Sequence, residues 1–96
     1  MNINVPEWAR EHFWEDTTVG DSEFWAFRYQ PKVKVGDTLR FRFDGKIVAQ
    51  AIVAAVEPPG ESSCLTSGKF LHRWKVVWRN ESFVDLREKD PTLAGL

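Results

Sequence analysis

Residues Lys32–Pro59, KVKVGDTLRFRFDGKIVAQAIVAAVEPP, decide how the 96-residue chain folds. Thr38 to Phe43 alternates without exception: Leu39, Phe41 and Phe43 fall on one face, Thr38, Arg40 and Arg42 on the other. Side chains of a β-strand point to opposite faces at every second residue, so this segment reads as a half-buried strand with two arginines outward. Asp44-Gly45 follows, a dipeptide that tolerates the positive φ angles of a two-residue hairpin turn. Lys46 to Val56 is almost wholly apolar and rich in β-branched residues and alanine, which predicts a strand covered on both faces.

The rest of the chain is read outward from this hairpin. Val5–Glu15 (VPEWAREHFWE) predicts a short helix: Pro6 suits its first turn, Glu7 the positive end of its dipole, and Trp8, Phe13 and Trp14 an apolar stripe. Asp16–Asp21 is a turn-rich link. Glu23–Tyr29 (EFWAFRY) predicts the first strand, stopped by Gln30-Pro31 because proline donates nothing to a ladder. Val33 and Val35, alternating with Lys32 and Lys34, mark an exposed approach to Gly36-Asp37. Pro58-Pro59-Gly60 closes the hairpin, and Glu61–Lys69 is a polar loop of small residues. Phe70–Arg79 (FLHRWKVVWR) alternates again, with Phe70, His72, Trp74, Val76 and Trp78 opposite Leu71, Arg73, Lys75, Val77 and Arg79. Ser82–Arg87 is a last short strand. The expected fold class is mainly β with a short N-terminal helix (α+β): a small antiparallel barrel or strongly curved sheet. One domain spans 1–96, divided into an acidic helical segment (1–22), a β core (23–87) and a loosely held tail (88–96).

Composition narrows the function classes. Charged residues at 28% and hydrophobic residues at 43% suit a globular domain and exclude a disordered one. Five tryptophans and seven phenylalanines exceed what a minimal core requires, so some are candidates for stacking surfaces. The formal net charge of −1 conceals an asymmetry. Residues 1–23 carry six acids against Arg10, whereas residues 24–87 carry eleven bases against six acids. That split predicts a basic surface on the β portion and an acidic N-terminal segment. The one cysteine, Cys64, allows no intrachain disulfide and fits a reducing compartment. His12, His72 and Cys64 lack metal-ligand spacing, no apolar run reaches the roughly 18–20 residues of a membrane span, and no basic-then-apolar leader is visible. The expectation is a cytoplasmic protein with no metal, no cofactor and no membrane partner.

The order FWAFRY (24–29), KVKVGDTLRFRF (32–43), IVAQAIVAAVE (47–57) and HRWKVVWR (72–79) resembles the PUA-like superfamily, especially its ASCH and EVE branches. The likeness spans Phe24 to Arg79. The ASCH pattern Gly-x-Lys-x-x-x-Glu-x-Arg is not found near the first strand, and Phe41 and Phe43 stand where EVE domains often place a tyrosine. The resemblance implies a β-barrel that reads RNA, or a modified base of RNA or DNA, through a cleft beside its first strand.

The residues themselves offer a matching constellation. Arg40 and Arg42 point outward from one strand and Arg73, Lys75 and Arg79 from another; sharing a sheet, the five would form a positive stripe for phosphates. Arg28 would add a fork-shaped donor and Trp25 a stacking face. The plainer alternative is that Arg40 and Arg42 are ordinary strand positions paired with Asp85 or Glu81. His72, sharing a face with Phe70 and Trp74, reads as a buried hydrogen-bonded histidine. Ser62, Ser63, Cys64 and Ser67 suggest nucleophiles, but no activating histidine stands at a recognisable spacing and no nucleophile elbow accompanies them. A non-catalytic nucleic-acid-binding module, with RNA or DNA as partner, therefore leads. A protein-interaction module or homodimer built on the surplus tryptophans comes second. A small enzyme or small-molecule binder, needing a closed pocket around Arg28, Cys64 or His72, comes third.

Overall fold

The computed structural model describes residues 1–16, 20–60 and 72–90. Residues 61–71, which include Ser62, Ser63, Cys64 and Ser67 and the start of the strand expected from Phe70, and residues 91–96 lie outside the described residues. The elements are β1 (Asn2–Asn4), a 3-10 turn (Glu7–Ala9), α1 (Arg10–Asp16), β2 (Ser22–Phe27), β3 (Thr38–Phe43), β4 (Lys46–Glu57), β5 (Trp74–Arg79), a 3-10 turn (Asn80–Ser82), β6 (Val84–Asp85) and a last 3-10 turn (Leu86–Glu88). The protein is mainly β with one short N-terminal helix, as the alternation requires.

The expected hairpin is present. Asp44 (φ 50°) and Gly45 (φ 83°) make its two-residue turn, both in the left-handed region that a primed turn demands. Leu39, Phe41 and Phe43 are buried to 1% exposure or less, while Arg40 is exposed and Arg42 half-buried. Burial of each such side chain stabilises by roughly 1.5–3 kcal/mol, so this one strand anchors the core.

Strand order is β1-β3-β4-β5-β2, with β6 also paired to β4. Two features differ from the expectation. First, β1 pairs parallel to β3 (Asn2↔Arg40, Ile3↔Phe41, Asn4↔Arg42), so the sheet is mixed, not antiparallel throughout. The N-terminal segment is thus part of the sheet, anchored by buried Ile3 and Val5. Second, β1 and β2 end the order at opposite edges, and the sheet does not close into a barrel. The place of closing strands is taken by α1, whose Phe13 packs against Phe41, Phe43 and Phe83 with ring centroids 5.0–5.8 Å apart.

β4 is twelve residues long, and its pairing shifts register twice, against β3 between Phe41 and Arg42 and against β5 between its own Val53 and Ala55. Each break bends the strand and increases its twist. Along β4, β5 gives way to β6 across the Asn80–Ser82 turn. There the Ser82 hydroxyl accepts from the Ile52 amide (3.2 Å) and donates to the Arg79 carbonyl (2.8 Å), replacing the missing ladder bond.

Candidate nucleic-acid interface

Register decides which outward residues become neighbours, because paired residues share a face. On β3, Arg40 lies between Asn2 of β1 and Gln50 of β4, and Arg42 between Asn4 and Ile47. Thr38 faces Ile52. The core and α1 occupy the other side of the sheet, with Phe13 seated on Phe41 and Phe43. The side bearing the arginines is open: Asn2, Asn4, Arg40, Ile47 and Ile52 are all exposed.

This open face is polar, cationic and free of carboxylates over its three strands. Its outward positions in β1, β3 and the first half of β4 hold three amides, two guanidiniums, a threonine and two isoleucines. Successive outward residues on β3 are about 6.6 Å apart at about 3.3 Å per residue. That step is comparable with the separation of neighbouring phosphates in an extended single strand. The Arg40 guanidinium has no hydrogen bond or ion pair among the described residues. Arg42 donates to the Gly45 carbonyl at 3.1 Å, which holds it over the hairpin turn. The pairing of these arginines with Asp85 or Glu81 is not seen. Asp85 instead holds Arg87 at 2.8 Å, and Arg87 stacks on the Trp14 ring at 3.5 Å.

The acid of the hairpin turn is also neutralised locally. Arg10 of α1 reaches Asp44 with two hydrogen bonds, at 2.9 and 3.0 Å. They hold the Asp44 carboxyl below the usual carboxylate range and raise Arg10 further above its own. Arg10 also lies 4.9 Å from the Phe43 ring centroid, so the helix, the turn and β3 are tied together.

The predicted five-cation stripe is only partly assembled. Lys75 is fully buried, with its Nζ 3.7 Å from Oε1 of the buried Glu57, and it reaches no ligand. The alternation put it on the outward side of β5 correctly, but that side is covered here: Val77, on the same side, is 0% exposed. Arg79 is exposed at the other end of β5, near Ile52 in register, with Asp21 and Glu81 beside it in sequence and pairing. Arg73 precedes β5 by one residue, about 20 Å along the strand from Arg79. Arg28 follows the last β2–β5 pair, Phe27↔Trp74, so Arg28 and Arg73 belong to the far end of the sheet. Trp25 is no free stacking face; it is half-buried and packs against the core. His72 is exposed, not buried, and lies 3.3 Å from the Nε of Arg73.

Sequence reasoning missed Asn2, Asn4 and Gln50. Gln50 was legible as the polar break in an apolar strand. Asn2 and Asn4 alternate about Ile3, but three residues are too few to read as a strand. An open depression is lined by Gln30, Pro31, Lys32, Val33, Lys34 and Asp37, the segment that follows the first predicted strand. No aromatic ring is among these residues. Among the described residues no group of three or more His, Cys, Asp or Glu could hold a metal ion, and no helix is long and apolar enough to cross a membrane. The chain matches no protein-family model, no curated protein and no solved structure.

Proposed function

We propose that this protein is a non-catalytic nucleic-acid-binding module that lays an extended strand of RNA or DNA across the open face of β1, β3 and β4. One observation carries the reading: Arg40 and Arg42 project side by side from the uncovered side of the sheet, Arg40 between Asn2 and Gln50 and Arg42 between Asn4 and Ile47, with no carboxylate among the outward residues around them. Arg40 and Arg42 contact phosphates, while Asn2, Asn4 and Gln50 offer donors and acceptors to sugars and base edges. Arg79 extends the grip at the rim. No aromatic ring is among the outward residues of β1, β3 and the first half of β4, so base stacking contributes little and sequence preference is weak. The likeness to PUA-like domains supports the same ligand class, with the contact surface moved from the cleft to the sheet.

Titration of fluorescent single- and double-stranded oligonucleotides at two salt concentrations tests this. With two to three phosphates neutralised, affinity for the single strand falls about tenfold between 50 and 200 mM salt. Arg40→Glu with Arg42→Glu abolishes binding, and Arg28→Glu with Arg73→Glu leaves most of it. Absence of binding at low salt, or an unchanged affinity in the Arg40/Arg42 double variant, rules the proposal out.

A further inference from the structure

We infer that the protein self-associates head to tail, the helical layer of one copy seating on the open sheet face of the next. The two surfaces lie on opposite sides of one sheet. The helical layer turns Ala9, Arg10, Phe13 and Trp14 inward and displays Glu7, Trp8, Glu11, His12 and Glu15 outward. Arg10 gives both of its terminal nitrogens to Asp44 while Glu7 acts on it electrostatically, and Glu15 Oε2 lies 4.0 Å from His12 Nδ1; Glu7, Glu11 and Glu15 nonetheless stay exposed. The sheet stands between the acids and Arg40 and Arg42, so the acidic layer cannot mask the basic face of its own molecule. It can mask that of another.

The match is apolar as well as ionic. Trp8 is 81% exposed, the most exposed large hydrophobic side chain among the described residues. The cationic face carries its own exposed apolar groups, Ile52 (43%) and Ile47 (38%). Glu11 and Glu15, four apart on a helix, are about 5–6 Å from each other, close to the roughly 6.6 Å step from Arg40 to Arg42. Each layer thus presents charge of one sign with an apolar anchor, and each complements the other, not itself. A contact between two different surfaces is heterologous, and unless its rotation closes a ring it continues from copy to copy. The second copy is favoured over an unrelated acidic partner because both halves of the match are present in this chain.

The inference shares a face with the nucleic-acid reading but does not rest on it, and its test contains no nucleic acid. Sedimentation of the wild-type chain at low ionic strength shows a weight-average mass that rises above the 11.1 kDa monomer with concentration, without stopping at two copies. At about 0.5 M salt, where the Debye length falls to a few ångströms, the association weakens at least tenfold. Arg40→Glu with Arg42→Glu, and separately Glu11→Lys with Glu15→Lys, are each monomeric. An equimolar mixture of these two variants associates again, because each supplies a surface complementary to the other; this also shows that both are folded. Trp8→Ala weakens association about tenfold. A chain that stays monomeric at millimolar concentration in low salt overturns the inference. So does a salt-insensitive dimer unaffected by the arginine changes, or a mixture that fails to reassemble.

Discussion

Replacing Lys75 separates what holds the fold from what contacts a ligand. Its side chain is 0% exposed and that of Glu57 9%, with 3.7 Å between Nζ and Oε1. Removing one member of such a pair leaves the other charge in a poorly solvated place, at a cost of about 3–5 kcal/mol. A domain of this size has a total stability of only about 5–15 kcal/mol, and each kcal/mol shifts its melting temperature by about 4–8 °C. Lys75→Met should therefore lower the melting temperature by about 15–30 °C in a circular dichroism melt. Replacing both partners, Lys75→Met with Glu57→Leu, removes the stranded charge and recovers most of that loss, since apolar substitutes for a buried pair are often neutral or stabilising. Oligonucleotide affinity, measured well below either melting point, is unchanged in both variants. The reasoning is refuted if Lys75→Met costs less than about 1 kcal/mol while weakening oligonucleotide binding as much as an Arg40 substitution does.

Three further outcomes follow from the same geometry. Phe13→Ala removes the ring that joins α1 to Phe41, Phe43 and Phe83, and urea titration should show a loss of about 3–5 kcal/mol. Gly45→Ala forces a side chain into φ +83° and should cost about 1–2 kcal/mol in the same assay, whereas Gly45→Asn, better suited to that region, costs less. Hydrogen bonds from Arg87 lower the Asp85 carboxyl below its unfolded value, so the pair contributes fully above about pH 4 and its contribution is lost as pH falls through the depressed folded value. Asp85→Asn is accordingly less stable than wild type at neutral pH, and the gap should narrow progressively in melts carried down through and below the unfolded carboxyl value.

The sequence was most legible where local chemistry and burial agreed. Leu39, Phe41 and Phe43 declared one face by strict alternation, and Asp44-Gly45 declared the turn, because both signals are contained within a few adjacent residues. The parity of β5 was also readable, with Trp74, Val76 and Trp78 on one side. What covers the other side was not: burial of Lys75 depends on elements distant in sequence, and alternation assigns a side without saying whether water reaches it. The parallel pairing of β1 was hidden for a similar reason. Asn2-Ile3-Asn4 has no length to show a period, and its place is set by backbone bonds to β3, such as Arg40 N–H to the Met1 carbonyl at 2.9 Å. Separation of Arg28 and Arg73 from Arg40 and Arg42 likewise needed the register of four strands, which no single segment contains.

Core and candidate contact residues interleave on β3, and this makes register the quantity on which the open face depends. A slip of one residue would bury Arg40 and Arg42 and expose Leu39, Phe41 and Phe43. The break between Phe41 and Arg42 lies within that strand, where pairing passes from Ala49 to Ile47, and a bulge is a place where register can move. Three contacts oppose such movement at the turn: Arg10 to Asp44, Arg10 over Phe43, and Arg42 to the Gly45 carbonyl. Two of the three come from the helical layer. The acidic N-terminal segment therefore has a structural part in the cationic surface on the far side of the sheet: through Arg10 it keeps the arginines outward, although none of its acids touches them. Loss of Arg10 should consequently disturb the open face more than the helix that carries it.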